Sequence, residues 1–324
     1  MRQIRYLEAL SEALKEEMRR DPRVIVLGED VRHSLRGVTR GILDEFGPDR
    51  IFDTPISEAG FTGLATGAAM AGLRPVVEYQ INALLFVAFD QLVDQALKLR
   101  YMMGGQGKIP VTYILPASGA RPGLAGQHAD HPYPLMVHMG MKAVMPSTPR
   151  DAKGLLTTAL RDDDPVMVFA PAALLALRGP VPEGELLIPL GQAEVRREGS
   201  DVTIIALGPL VADALKAAEE LAADGVSVEV VDPRSLLPID HGTLVGSARK
   251  TGRVVIFDDS NRTCGFAAEL AAIVADEAWD ALRAPIKRIT RADVPVPFSP
   301  PLEGYVLPGR DRLLAECRAL LARA

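Results

Sequence analysis

A glutamate at the start of a glycine-faced helix is the group in this chain best placed for proton chemistry. In DTPISEAGFTGLATGAAMAGLRP, residues 53–75, Pro55 and Ser57 mark a helix start and Glu58 falls in its first turn. An acid there complements the helix dipole. The same helix sets Gly60, Gly63, Gly67 and Ala71 on one face. Glycine costs a helix about 1 kcal/mol against alanine, so such a face points to close backbone approach by another helix or a cofactor. A carboxyl shielded by that packing has a raised pKa and can share a proton with a ligand nitrogen.

A second cluster, AGQHADHPYPLMVH, holds His128, Asp130, His131 and His138 after the Gly/Pro-rich loop 117–127. Three readings stand: a metal site with His-x-x-His and Asp as ligands, histidines in ordinary hydrogen bonds, and an acid or base on an active-site loop. Asp162, Asp163 and Asp164 before Pro165 read either as a solvated turn or as a helix end whose carbonyls bind a hard cation. Ser118 and Ser260 have no evident base in sequence. Cys264, at a helix start, has no partner that suggests nucleophilic use.

These residues need a scaffold. Short Val/Ile-rich runs at 23–27, 76–79, 109–115, 142–145 and 166–169 alternate with helical stretches at 58–72, 89–100 and 149–161. That is the pattern of an α/β fold with a mainly parallel sheet covered on both faces. Pro180, Pro182 and Pro189 interrupt it, and the pattern restarts with strands at 202–207, 227–231, 253–257 and 286–289. The expected organisation is a first domain over 1–180, a linker over 181–192 and a smaller α/β domain over 193–324. Ligands of open α/β sheets bind beyond the carboxyl ends of the strands. This directs attention to Glu29 and Asp30, to Glu78 and the residues after it, to 117–127 and to 258–262.

Composition excludes several classes. The chain has 324 residues, 36 Lys and Arg against 42 Asp and Glu, and a net charge of −6, a poor match to nucleic acid. Its two cysteines make no disulfide framework. The longest wholly apolar stretch, Ala83 to Phe89, is far short of a membrane span. The charged N-terminus reads as an amphipathic helix, with Leu7, Leu10, Ala13, Leu14 and Met18 on one face, and not as a signal peptide. A cytoplasmic protein with no membrane partner is expected. The chain carries no G-x-G-x-x-G after a strand, no P-loop and no G-x-S-x-G elbow.

Taken together, VIVLGEDV, FGPDRIFDTPISEAGFTGLATGAAMAGLRPVVEY, AFDQLVDQALKLRYMMGGQ, MPSTPRDAKGLL, ALRDDDPV, VDPRSLLPID, KTGRVVIFDD and ITRADVPVPF resemble the β subunit of the thiamine-diphosphate-dependent decarboxylase component of 2-oxo acid dehydrogenase complexes. The pyruvate, branched-chain and acetoin types share this subunit, and the resemblance covers nearly the whole chain. It implies a transketolase-like pyrimidine-binding domain followed by a transketolase C-terminal domain. It further implies that Glu58 hydrogen-bonds N1′ of the cofactor's aminopyrimidine, favouring the tautomer whose nitrogen removes the thiazolium proton. Glu29 would extend the acidic network, and His128 would assist acyl transfer to lipoamide.

The G-D-G…N motif that holds the diphosphate through Mg²⁺ does not occur in these residues. The family places it on an α subunit, which implies an α2β2 heterotetramer. A monovalent cation such as K⁺ is implied near Ala159, Leu160, Asp162 and Asp164. Three features depart from the family pattern. His128-Ala-Asp-His-Pro-Tyr-Pro-Leu-Met replaces H-S-Q-S-x-E-A-W-F, Leu84 stands where relatives place an aromatic against the aminopyrimidine, and His138-Met-Gly-Met-Lys is one residue shorter than H-x-P-G-L-K. These departures admit a second enzyme reading, transfer of an acyl or two-carbon unit to a carrier-protein thiol. They also leave a role as an assembly subunit docked on a lipoyl acyltransferase core.

Overall fold

The computed structural model describes residues 1–121 and 123–322, and Pro122, within the loop 117–127, lies outside them. The chain divides into two compact units, the first formed by 1–120 with 135–190 and the second by 121–134 with 191–324. Thus the first unit does not run unbroken over 1–180. The histidine-bearing segment leaves it and counts with the second unit, and the division near residue 190 falls inside the expected linker. Arg178–Val181, at the end of the expected first domain, forms a strand antiparallel to Arg2–Arg5 and overlaps the expected linker at Val181 alone.

In chain order the first unit contains β1 (Arg2–Arg5), α1 (Tyr6–Arg20), β2 (Val24–Gly28), α2 (Ile42–Phe46), β3 (Ile51–Asp53), α3 (Glu58–Met70), β4 (Arg74–Glu78), α4 (Leu84–Val87), α5 (Lys98–Met102) and β5 (Thr112–Ser118). After α6 (Tyr133–His138) it continues with β6 (Lys142–Val144), α7 (Pro149–Arg161), β7 (Val166–Pro171) and β8 (Arg178–Val181). The parallel strands run in the order β6-β7-β5-β4-β2-β3.

The strands β4, β5 and β7 are buried along their whole length, as expected of parallel strands covered on both faces. A consequence is that β4 starts with a buried arginine, Arg74, and ends with a buried glutamate, Glu78. The helix α7 starts at Pro149, with the Thr148 hydroxyl accepting from Asp151 N at 3.1 Å. It packs its apolar face on α1. Between these two helices the fully buried Lys153 Nζ donates to Glu12 at 2.6 Å, to Glu16 at 2.9 Å and to the Gly184 carbonyl at 2.6 Å.

The stretch 89–100 is not one α-helix. Residues Gln91–Leu97 are wound as a π-helix, a form that recurs at functional sites. It packs against α3. There Gly63 leaves room for Gln91, since a Cβ at Gly63 would lie 2.7 Å from Gln91 Oε1.

The second unit contains β9 (Glu194–Arg197), β10 (Val202–Ala206), α8 (Leu210–Ala223), β11 (Val228–Asp232), β12 (Ser235–Leu237), α9 (His241–Thr251), β13 (Val254–Asn261), α10 (Phe266–Ala278), β14 (Lys287–Arg291), α11 (Pro300–Val306) and α12 (Arg310–Leu321). Its sheet runs β14-β13-β10-β11-β9, parallel except for β9 at the edge. Its core draws on β10, β11, β13, α8 and α12. Among the described residues no helix is long and apolar enough to cross a membrane.

Candidate active site

The carboxyl ends of β2 and β4 bring three acids together. Gly28, the last residue of β2, pairs with Glu78, the last of β4. Its φ is +154°, and a Cβ there would stand 2.5 Å from the Glu78 carbonyl, so the close approach needs glycine. That approach places Glu29 beside the end of β4, where Gln80 Nε2 donates to the Glu29 carbonyl at 2.7 Å and to Glu78 Oε1 at 3.4 Å.

Glu58 faces the same region from the first turn of α3 and is 7% exposed. Its helix is fixed to the end of β4 through aromatic and hydroxyl contacts. The Thr62 hydroxyl donates to the Glu58 carbonyl at 2.6 Å, the Thr62 and Tyr79 hydroxyls are hydrogen-bonded, and the Tyr79 ring lies 5.5 Å from that of Phe61.

The charges of Glu29 and Glu58 act on one another, whereas Glu78 answers to burial, Arg36 and Gln80. Burial and then the nearby charge of Glu58 push the Glu29 carboxyl above its ordinary value. Burial, opposed by the charge of Arg36 and the hydrogen bond from Gln80, pushes Glu78 up to about 7. Glu29 Oε1, Glu78 Oε2 and Gln80 Oε1 are buried and accept no hydrogen bond among the described residues. Orphaned buried acceptors are costly unless a ligand supplies donors. An aminopyrimidine carrying an amino group and a protonated ring nitrogen supplies such donors, so this set of acceptors fits the pyrimidine of thiamine diphosphate.

Leu84 opens α4, which packs on α3, and is half-buried. The opposite face of α3 is exposed. Gly60, Gly67 and Ala71 lie there with Ile56, Leu64 and Met70, and a Cβ at Gly67 would meet nothing within 4 Å.

His128 sits in the second unit, exposed, on a single 3₁₀ turn over Gly126–Ala129. Its neighbour His131 is buried, edge-on to Tyr133 at 4.7 Å between ring centroids and 3.5 Å from Asp259 Oδ2. Among the described residues no group of three His, Cys, Asp or Glu is gathered to hold a metal ion.

The residues expected to hold K⁺ are engaged by the protein itself and do not fit an open cation site. Arg74 Nε donates to the Leu160 carbonyl at 3.0 Å and Nη2 to the Asp162 carbonyl at 2.5 Å. The Ala159 carbonyl accepts from the Thr112 hydroxyl at 3.2 Å. Lys142 Nζ bridges the Asp162 and Asp164 carboxylates at 2.9 Å each, and Arg100 pairs with Asp164. Lys108 and Arg74 pair with Asp163 at 2.7 and 3.6 Å, and the Lys108 hydrogen bond holds that carboxyl below its usual range. Side-chain cations thus supply the positive charge that a bound ion would bring.

The melting temperature is therefore expected to be the same in potassium chloride and choline chloride at equal ionic strength. A rise specific to K⁺ would show a bound ion instead. Arg74→Gln is expected to cost about 1–3 kcal/mol, by leaving buried carbonyls without donors.

Two α/β units of this kind, the first with its acids clustered beyond β2 and β4, define a transketolase-type chain. The family models for the transketolase pyrimidine binding domain and the transketolase C-terminal domain match residues 2–177 and 191–313. A solved structure of a split-gene transketolase, an inactive β4 tetramer, superposes with a TM-score of 0.81 at 26% identity, covering 98% of each chain. The acetoin:2,6-dichlorophenolindophenol oxidoreductase subunit beta of Bacillus subtilis is 44% identical, over 97% of this chain and 96% of its own length. The pyruvate dehydrogenase E1 component subunit beta of Rickettsia felis is 43% identical, over 96% of each. The chain belongs to the family of β subunits of the thiamine-dependent E1 components of 2-oxo acid dehydrogenase complexes.

Proposed function

We propose that this chain forms the pyrimidine side of a thiamine diphosphate site that an α subunit completes in an α2β2 heterotetramer, and that the assembly decarboxylates a 2-oxo acid and passes the acyl group to a lipoyl domain. The observation that carries this reading is the buried Glu58 beside Glu29, which Gln80 joins to the buried Glu78, with carboxyl and amide oxygens there that lack donors among the described residues. Thiamine diphosphate, when bound, supplies the electron sink for decarboxylation. Glu58 accepts the hydrogen bond at N1′ and holds the proton there. Glu29, whose own carboxyl is raised by burial and by the charge of Glu58, extends the acidic network beside that contact.

Leu84 presents an aliphatic side chain on the pyrimidine side. Mg²⁺ and the diphosphate fall to the α subunit, whose G-D-G…N motif these 324 residues lack. The exposed small-residue face of α3, with Ile56, Leu64, Met70, Phe86 and Val87 exposed around it, supports burial against partner subunits. His128, exposed on its turn, is free to donate or accept a proton during acyl transfer.

The test is reconstitution with an α subunit and a 2-oxo acid, read by mass spectrometry of a lipoyl domain and of a pantetheinyl carrier protein. The expected result is an acylated lipoyl domain, and no turnover by this chain alone. Acylation of the carrier only would replace the lipoyl reading with transfer to a carrier thiol.

A further inference from the structure

The turn that carries His128 is tied down by residues far away in sequence. Gly126 N donates to the Val296 carbonyl at 3.0 Å, on the amino side of His128. On the other side, Arg291 Nη1 donates to the carbonyl of Ala129, a residue with no exposed surface, at 3.1 Å. The same guanidinium forks onto Asn261 Oδ1 through Nε at 3.0 Å and Nη2 at 2.7 Å.

Asn261 and Arg291 are register partners at the carboxyl ends of the parallel strands β13 and β14. Such strand ends are where α/β sheets present binding groups. Here a buried guanidinium at that place is spent on the backbone of the histidine turn. The turn is held again four residues on, where the Tyr133 hydroxyl donates to Asp258. The Asp258 carboxylate also takes Ser260 Oγ at 2.5 Å, Ser260 N at 3.1 Å and Ala267 N at 3.0 Å. His131 and Tyr133 lie in the segment whose sequence departs from the family pattern. Both are buried, and both face the Asp258–Asp259 pair.

We infer that Arg291, braced by Asn261, is a positioning residue that sets the His128 turn for acyl transfer, with the Tyr133–Asp258 bond as its second anchor. A planar guanidinium reaches a side-chain amide oxygen and a backbone carbonyl in two directions at once, which an ammonium on a flexible stem cannot do as rigidly. The inference rests on the reading of His128 as the proton-transfer group.

The experiment uses the reconstituted heterotetramer with Arg291→Met, Arg291→Lys, Asn261→Leu, His128→Asn and the double variant Arg291→Met/His128→Asn. It measures acylation of a lipoyl domain and amide hydrogen exchange. Arg291→Met is expected to slow acylation about tenfold to a hundredfold, the cost of a small misplacement of a reacting group. Exchange should quicken across residues 126–133 and stay unchanged in α3.

Arg291→Lys, which keeps one donor, should recover part of the rate. Asn261→Leu should reproduce the loss with Arg291 still present. In the His128→Asn background, Arg291→Met should cost nothing further. A full-sized loss in that background, or unchanged exchange at 126–133, overturns the inference. If His128→Asn cripples acylation and Arg291→Met does not, the inference fails and the role of His128 stands. If His128→Asn leaves acylation intact, the role of His128 fails, and the inference with it.

Discussion

Glu58→Gln in the reconstituted complex is expected to lower kcat by ~10²- to 10⁴-fold, the range for loss of a positioned acid–base group. The acid–base role and the simpler role of a first-turn acid predict effects of different size. A helix-dipole partner is worth about 0.3–1 kcal/mol, up to about 2 when partly buried, and its loss would appear in stability with turnover intact. Glu58 is buried, its carbonyl accepts from Thr62, and its charge raises its neighbour Glu29. A group serving the dipole alone needs neither the burial nor the company of Glu29. The assay is steady-state turnover at saturating cofactor, with a melting curve as control. Unchanged turnover would reduce Glu58 to a structural role.

Glu78→Gln is expected to change how stability depends on pH. The Glu78 carboxyl stands at about 7 in the folded chain against an ordinary value of 4.5. The folded state therefore holds this proton over a range where the unfolded chain has lost it. The stabilisation is fully present below about 4.5, declines as pH rises, and is gone once pH passes about 7. A displacement of that size corresponds to about 3 kcal/mol. Glu78→Gln, neutral throughout, should remove this slope and be more stable than the parent at pH 8 relative to pH 5. Denaturant midpoints of both proteins across this range supply the check. Parallel pH profiles for parent and variant would mean that Glu78 is solvated and takes no part in the acidic cluster.

Much of the scaffold could be read from residue order because its signals are local. Pro149 after Thr148 and the apolar periodicity through Leu160 place α7 correctly, and the Val/Ile runs mark the strands of both sheets except the edge strands β3 and β9. The carboxyl-end rule led to Glu29 and Glu78, and the first-turn position led to Glu58. Sequence could not show that Glu78 is the most deeply buried of the three. A strand covered on both faces has no alternation to say which end is sealed. The π-helical winding of 91–97 was hidden too, since a wider turn changes little in an apolar pattern seven residues long.

The remaining misses are partnerships across long separations. Arg74 takes the carbonyls of Leu160 and Asp162, 86 and 88 residues away. This is why two of the four residues that read as a cation site have their carbonyls taken by a guanidinium. Arg291 reaches Ala129 over 162 residues, and Tyr133 reaches Asp258 over 125. Those contacts explain why the histidine segment counts with the second unit and not with the first. No motif near His128 announces them.

Exchange of the cofactor's thiazolium C2 proton for deuterium, followed by NMR after rapid acid quench of the reconstituted complex, tests the placement of Glu58 most directly. A carboxyl that holds the proton at N1′ predicts fast exchange in the parent and exchange slowed by about 10²-fold or more in Glu58→Gln, with cofactor still bound. Equal exchange rates in the two complexes at full cofactor occupancy would contradict that placement.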